Sequence, residues 1–384
     1  MRSAYIRGWG KYVPPQVMTN NDLARFVDTD DEWIRARTGI AERRVAGKTD
    51  TTLTMAIKAG REALRVADFD PTQVELIIVG TTTPDRVFPS TASMVQDDLG
   101  AERAAAFDLA AACSGFVYAL SVATTMLQTG AANNALVIGA DAMSHILDWS
   151  DRNTCVLFGD GAGAFFLEAH DQPGGILSFE LGSDGSGGEL LTGPMVGNTY
   201  EPAVGATLSH EFMAMNGRAV FRFATRIMGV AAERAVAKAG LAPEDIDLFI
   251  PHQANVRIIE AAAKHLKLPM EKVYVNIHRY GNTSAASIPV AWCEAIEEGR
   301  LRPGDRVVMV GFGGGLSWGA VVAQWQQMPQ KRERKEVRVA GRWLRNQKAR
   351  ATRLSHKLSY RADEVVESGT RAIEKQRTTK RKSN

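Results

Sequence analysis

The sequence predicts an α/β protein, with sheets covered by helices on both sides. Three observations carry this. Short apolar, largely β-branched runs recur at Val74–Gly80 (VELIIVG), Ala135–Gly139 (ALVIG), Ile246–Ile250 (IDLFI) and Arg306–Val310 (RVVMV), and continuous runs of that length read as strands buried on both faces. Segments of helical period separate them, the alternation expected of parallel sheets with crossover helices. The order strand, loop, helix, strand, small-residue helix start, long helix and strand then occurs once in each half of the 384 residues. Identity between the halves is negligible, so they match in element order alone.

In chain order, MRSAYIRGWGKYVP opens as a strand ending in Gly and Pro turn signals, and Asn20–Phe26 reads as a helix behind a Thr-Asn cap. The stretch Thr29–Ile40 gathers Trp33, Arg35 and Arg37. Thr51–Ala67 is an amphipathic helix, TTTPDRVFPS a loop and Thr91–Leu99 a helix. Ala104–Leu109 reads as a short buried strand, and Phe116–Leu127 as a helix apolar nearly all round. In the second half, Met228–Ala239 and Asn255–His265 read as helices and Val273–Asn276 as a strand. Gly281–Glu298 begins GNTSAAS and becomes a helix. The Gly-rich VLFGDGAGAFFL (Val156–Leu167) lacks the GxGxxG spacing and the downstream acid of a dinucleotide site, and no Walker lysine follows. Its glycines are read as close strand packing or a turn. The predicted organisation is two halves, 1–174 and 175–326, and a basic C-terminal extension, 327–384, read as a solvated, disordered appendage.

With 45% hydrophobic residues the chain can bury a large core. Three cysteines form no disulfide framework, and no Cys/His spacing suggests zinc. No run reaches the roughly 18 apolar residues of a membrane span, and no signal-peptide core opens the chain. A soluble protein of the reducing cytoplasm is expected. The net charge of +3 hides an asymmetry: Lys331–Asn384 holds 18 Lys and Arg against 6 Asp and Glu, a balance of +12, which leaves −9 on the rest.

The chemistry centres on AAAFDLAAACSGF. Cys113 sits among small residues at a strand-to-helix junction, where unpaired backbone N–H groups and the helix dipole favour a thiolate. Taken alone, it reads equally well as a buried structural thiol. His252, Asn282 and Gly313–Gly315 all directly follow strands, where ligands gather in α/β sheets. A thiolate attacks a thioester or ester carbonyl, and the oxyanion needs preset donors, here the Cys113 N–H and a glycine N–H of the 313–315 loop. Neutral His and Asn are two donors without negative charge, suited to an enolate oxygen formed by decarboxylation. By residue type alone, a protease-like Cys–His–Asn arrangement stays open.

AAACSGF, PHQANVRII, RYGNTSAASIP and GFGGGLSWG, in this order and spacing, resemble β-ketoacyl-acyl-carrier-protein synthase III from about Met1 to Trp325. The resemblance implies a thiolase-like fold, a duplicated five-layered αβαβα architecture, and a homodimer. It implies decarboxylative Claisen condensation of an acyl-CoA starter with malonyl-acyl-carrier protein, giving 3-oxoacyl-acyl-carrier protein and initiating fatty-acid biosynthesis, without metal or organic cofactor. Position by position it implies Cys113 as acylated nucleophile, His252 and Asn282 as the decarboxylation pair, and Gly314 as second oxyanion donor. Trp33, Arg37, Arg152 and Asn255 become coenzyme A contacts, and Phe88 a residue closing the partner's acyl pocket. Arg222, Arg257 and Lys264 become docking positions for the acidic carrier protein. Members of the family end soon after the strand at Trp325, so the extension 327–384 departs from the pattern. The rival readings are a specialised-metabolite synthase or acyltransferase of the same family, and a basic-tailed binding protein on an inactive body. The intact Cys, His and Asn set argues against the latter, and nucleic-acid contact by the tail is not expected.

Overall fold

The computed structural model describes residues 2–194, 199–201, 205–207, 212–326 and the isolated positions 351, 355 and 358; the basic extension predicted for 327–384 otherwise lies outside the described residues. The strands are β1 (Ser3–Tyr12), β2 (Leu76–Gly80), β3 (Ala105–Leu109), β4 (Asn134–Ala142), β5 (Asp160–His170), β6 (Gly175–Ser183), β7 (Leu248–Pro251), β8 (Arg306–Gly313) and β9 (Ser317–Gln324). The helices used below are α1 (Asp31–Thr38), α2 (Thr52–Ala67), α3 (Thr91–Leu99), α4 (Gly115–Gln128), α5 (Gly217–Lys238), α6 (Val256–His265) and α7 (Ser287–Glu297).

The first sheet has the order β1-β5-β4-β2-β3 and the second β7-β8-β9-β6. Both are mixed rather than parallel. β4, β2 and β3 run parallel, as do β7 and β8, while β1, β5, β6 and β9 pair antiparallel. The physical reason is connection length: β8 and β9 are joined by a tight turn, which can only return the chain antiparallel.

The sheets make five layers with the helices. Outside the first, α2 and α3 bury Met55, Ala59 and Val95 against Ile77, Leu136 and Phe166. Between the sheets, Phe116 and Leu120 of α4 and Ile288 and Trp292 of α7 meet Val137 and Phe165 on one side and Ile250 and Val321 on the other. Outside the second sheet, α5 and α6 place Met228 and Ile259 on Phe249 and Val322. β4 shows why its sequence is continuously apolar: Leu136 and Ile138 face one helix layer and Val137 the other. α4 is apolar all round because a sheet lies on each side.

Four further expectations change. Val273–Asn276 is not a strand; a single parallel bridge, Phe249 to Val273, stands in the fifth-strand place of the second sheet. The Gln253 side chain takes up the backbone that would have paired, donating to the Tyr274 carbonyl and accepting from the Asn276 and Ile277 N–H groups. β3 is an edge strand with Phe107 36% exposed, so it is not buried within this chain. The helix expected at 20–26 stops at Leu23, and α5 begins at Gly217, eleven residues before the predicted start. Its buried Val220, Ala224, Ile227 and Ala231 carry the helical period through a segment whose arginines obscured it. The glycines of VLFGDGAGAFFL are packing glycines, as read: a Cβ at Gly163 would meet Pro289 of α7 at 2.7 Å.

Candidate active site

Cys113 lies in a single 3-10 turn, Ala112–Ser114, between β3 and α4. Ala112 holds φ +47°, a conformation disfavoured for a side-chain-bearing residue. The turn is clamped by Ser114, whose hydroxyl bonds the Ala111 carbonyl at 2.6 Å and Ser317 at 2.7 Å. β8 of the opposite sheet runs beneath it. A Cβ at Gly313 would stand 2.5 Å from the Cys113 nitrogen, so only glycine lets the strand come this close and leaves that N–H uncovered. Gly314, one residue on, sits over Ala112 and the Leu191 carbonyl, and its own carbonyl accepts from Ser317 at 3.1 Å.

His252 follows β7 and Asn282 precedes a second 3-10 turn, Ser284–Ala286. The two side chains line, with Cys113, Gly313, Phe158 and Phe312, a cavity of about 90 Å³. Asn282 Oδ1 accepts the Ser284 N–H at 2.8 Å, which turns its NH₂ to the remaining space. The Ser284 hydroxyl donates to Cys113 Sγ at 3.3 Å. His252 is 1% exposed, its Nδ1 lies 2.5 Å from Ser287 Oγ, and Phe312 packs against its ring at 5.6 Å.

Burial decides the protonation states. It pushes the Cys113 thiol up to about 12; the Asp141 charge adds to the rise, while Ser284, the Cys113 backbone and Asn282 oppose it. The helix-terminus argument therefore gives the direction of one minor contribution, and desolvation outweighs it in the closed cavity. Burial likewise lowers His252 to about 3, so the ring is neutral at pH 7.

A second, larger cleft of about 760 Å³ shares Leu157, Met215, Phe221 and Asn255 with the small cavity, so the two adjoin. Trp33, Arg37, Arg152, Arg222 and Arg257 line it. Arg37 and Arg152 both stand over the Trp33 ring, at 4.6 and 5.2 Å. The Arg152 Nη1 donates to the Asp28 carbonyl at 2.8 Å. Asn255 caps α6, accepting from Arg257 N at 2.9 Å and donating to the Arg37 carbonyl at 3.0 Å. Lys264, in the last turn of α6, is exposed and away from the cleft lining. Phe88 is 83% exposed beside Val87 at 68%.

Residue-level reading missed Ser284, Ser287, Phe312 and Asp141. All but Asp141 lie inside quoted motifs, yet their pairings depend on which strands the fold brings together. Asp141 is wholly buried, its Oδ1 taking the N–H groups of Thr82 and Thr83 and its Oδ2 that of Ala285.

Comparison with known proteins places the chain in a family. Residues 107–185 match the family described as 3-oxoacyl-[acyl-carrier-protein (ACP)] synthase III, and residues 236–325 match its C-terminal region. A protein of Roseiflexus sp. (strain RS-1) named beta-ketoacyl-[acyl-carrier-protein] synthase III is 52% identical over 324 residues, 84% of this chain and 98% of the relative. The crystal structure of 3-oxoacyl-[acyl-carrier-protein] synthase III from Aquifex aeolicus VF5 is 48% identical, with a TM-score of 0.77 over 84% of this chain and all of that one. The priming beta-ketosynthase of the R1128 polyketide pathway is 35% identical with a TM-score of 0.78, covering 85% of this chain and 98% of that one. The chain thus belongs to the β-ketoacyl-acyl-carrier-protein synthase III family of thiolase-like condensing acyltransferases.

Proposed function

We propose that this enzyme condenses an acyl-CoA starter with malonyl-acyl-carrier protein, giving a 3-oxoacyl-carrier protein, carbon dioxide and free coenzyme A. The observation that carries the reading is one small cavity shared by a thiol, a neutral imidazole and an amide, at the foot of an arginine-lined cleft. In the first half-reaction Cys113 sulfur attacks the thioester carbonyl, the tetrahedral oxyanion is held by the Cys113 and Gly314 N–H groups, and coenzyme A leaves with the thiol proton. In the second, the malonyl carboxylate departs as carbon dioxide, and the enolate oxygen accepts hydrogen bonds from His252 and Asn282. The enolate carbon then attacks the acyl carbonyl, and Cys113 leaves as thiolate and takes up a proton from solvent. Thioester activation and loss of carbon dioxide supply the driving chemistry, and the steps run on these side chains and the two backbone N–H groups.

In this reading Trp33, Arg37, Arg152 and Asn255 bind coenzyme A, and Arg222, Arg257 and Lys264 receive the carrier protein; the cationic lining of the cleft and the exposed α6 face support these roles. A homodimer joined through edge strand β3 is supported by its open side and by exposed Phe88, Val87, Met94 and Phe107. The units of the duplication are inferred as 1–174 and 175–326. A cytoplasmic site of action is supported by three free cysteines; no helix among the described residues is long and apolar enough to cross a membrane. Identity of 52% to a fatty-acid-type synthase, against 35% to a polyketide priming enzyme, supports primary over specialised metabolism. The direct test is to incubate the protein with a panel of acyl-CoAs and weigh it intact, then to add malonyl-carrier protein and follow carbon dioxide release. Absence of any acyl adduct with every acyl-CoA would end the reading.

A further inference from the structure

We propose that Ser287 is a positioning residue that fixes the tautomer of His252, keeping its hydrogen on Nε2 so that the ring donates into the cavity. The inference rests on the donor role of His252 given above and comes from accounting for each hydrogen around one buried hydroxyl. Ser287 is the first residue of α7 and 2% exposed. Its Oγ has two partners among the described residues: His252 Nδ1 at 2.5 Å and the Gln253 N–H at 3.4 Å. The Gln253 amide can only donate, so Oγ accepts from it. The hydroxyl hydrogen then has one acceptor within reach, the Nδ1 lone pair. The opposite arrangement, Nδ1–H donating to Ser287, leaves the hydroxyl hydrogen buried without a partner, which is the more costly state.

With Nδ1 accepting, the neutral ring must carry its hydrogen on Nε2. That nitrogen is buried and has no hydrogen-bond partner among the described residues. Phe312, which faces the ring, offers no acceptor. An orphaned N–H beside Cys113 and Asn282 is a donor waiting for an oxygen the substrate brings. It also closes the arrangement left open by residue types: an Nε2 that already holds a hydrogen cannot take the Cys113 proton as a protease histidine does.

The tautomer is read directly on the full-length wild-type protein labelled with ¹⁵N-histidine, by solid-state NMR of the sedimented enzyme, with the His252 signals assigned by their loss in His252→Gln. An unprotonated Nδ1 and a protonated Nε2 are expected; a protonated Nδ1 overturns the proposal, whatever any variant does. Kinetically, Ser287→Ala should lower carbon dioxide release from malonyl-carrier protein roughly ten- to hundredfold, the scale seen when the orienting partner of a metal-ligating histidine is removed. Acylation of Cys113 should fall far less, and Ser287→Thr, which keeps the hydroxyl, should restore most of the loss. Equal losses in both half-reactions, or an unchanged tautomer in Ser287→Ala, would also overturn it. A His252→Gln enzyme that decarboxylates normally would instead remove the donor role, while the NMR result still decides the tautomer.

Discussion

The turn Ala112–Ser114 and the turn Ser284–Ala286 are one backbone device used twice. Each carries a non-glycine residue at positive φ, Ala112 at +47° and Ser284 at +50°, and each runs into a helix buried between the sheets. Each also lies on the opposite sheet. Ala285 sits on β4, where its carbonyl would meet a Cβ at Gly139 at 2.3 Å and its N–H donates to Asp141 at 3.1 Å. Cys113 sits on β8, over Gly311 and Gly313, two residues apart as Gly139 and Asp141 are. Where one strand offers a carboxylate that captures the N–H of the turn, the other offers no side chain. The first arrangement locks one turn; the second leaves Cys113, the proposed nucleophile, with no β8 side chain over its N–H.

Cys113→Ala makes the two turns alike and should have the largest effect: no acyl adduct by intact mass and no condensation. Cys155 and Cys293, 0% and 1% exposed, should stay unmodified, and an adduct on either would break the assignment. His252→Ala and Asn282→Ala remove the donors set against the first turn. Each should lose decarboxylation by about 10²–10³ while keeping much of the acyl transfer, as carbon dioxide release and adduct formation would separate. Gly313→Ala puts a methyl where the first half has Asp141, 2.5 Å from the Cys113 nitrogen. Acylation should fall about a hundredfold, and a wild-type acylation rate would show that the Cys113 N–H does not bind the oxyanion.

A smaller effect is expected in acid. His252 keeps its ring neutral to about pH 3 when folded, against an ordinary value of 6.5. Unfolding therefore binds a proton between those values, and the stability contributed above pH 6.5 is lost as pH falls toward 3. Urea midpoints at pH 7 and 5 should fall further in wild type than in His252→Gln. Ser284→Ala should act least. It removes a bond that opposes the rise of the thiol, so the iodoacetamide reactivity of Cys113 should move a few-fold, toward higher pH; a move toward lower pH would reverse the sign argued here.

Much of the layer scheme was legible because each buried strand and each sandwiched helix carries its environment in its own residues, as ALVIG and FVYALSVATTML do. The errors fall where pairing is non-local. Val273–Asn276 has the composition of a strand, but Gln253, twenty residues earlier, takes its hydrogen bonds. β3 reads as buried because its residues suit burial, yet within the chain it is an edge.

The sequence by itself determined that a cysteine and a histidine each follow a strand and that an asparagine opens a small-residue helix start in a duplicated α/β chain, since periodicity and small-residue junctions are local properties. Only the tertiary structure decided that Gly313 uncovers the Cys113 N–H, that Asp141 covers that of Ala285, and that Ser287 meets His252. These contacts join residues 35 to 200 positions apart or so, and the protonation states follow from burial, which belongs to the packed molecule and to no residue alone.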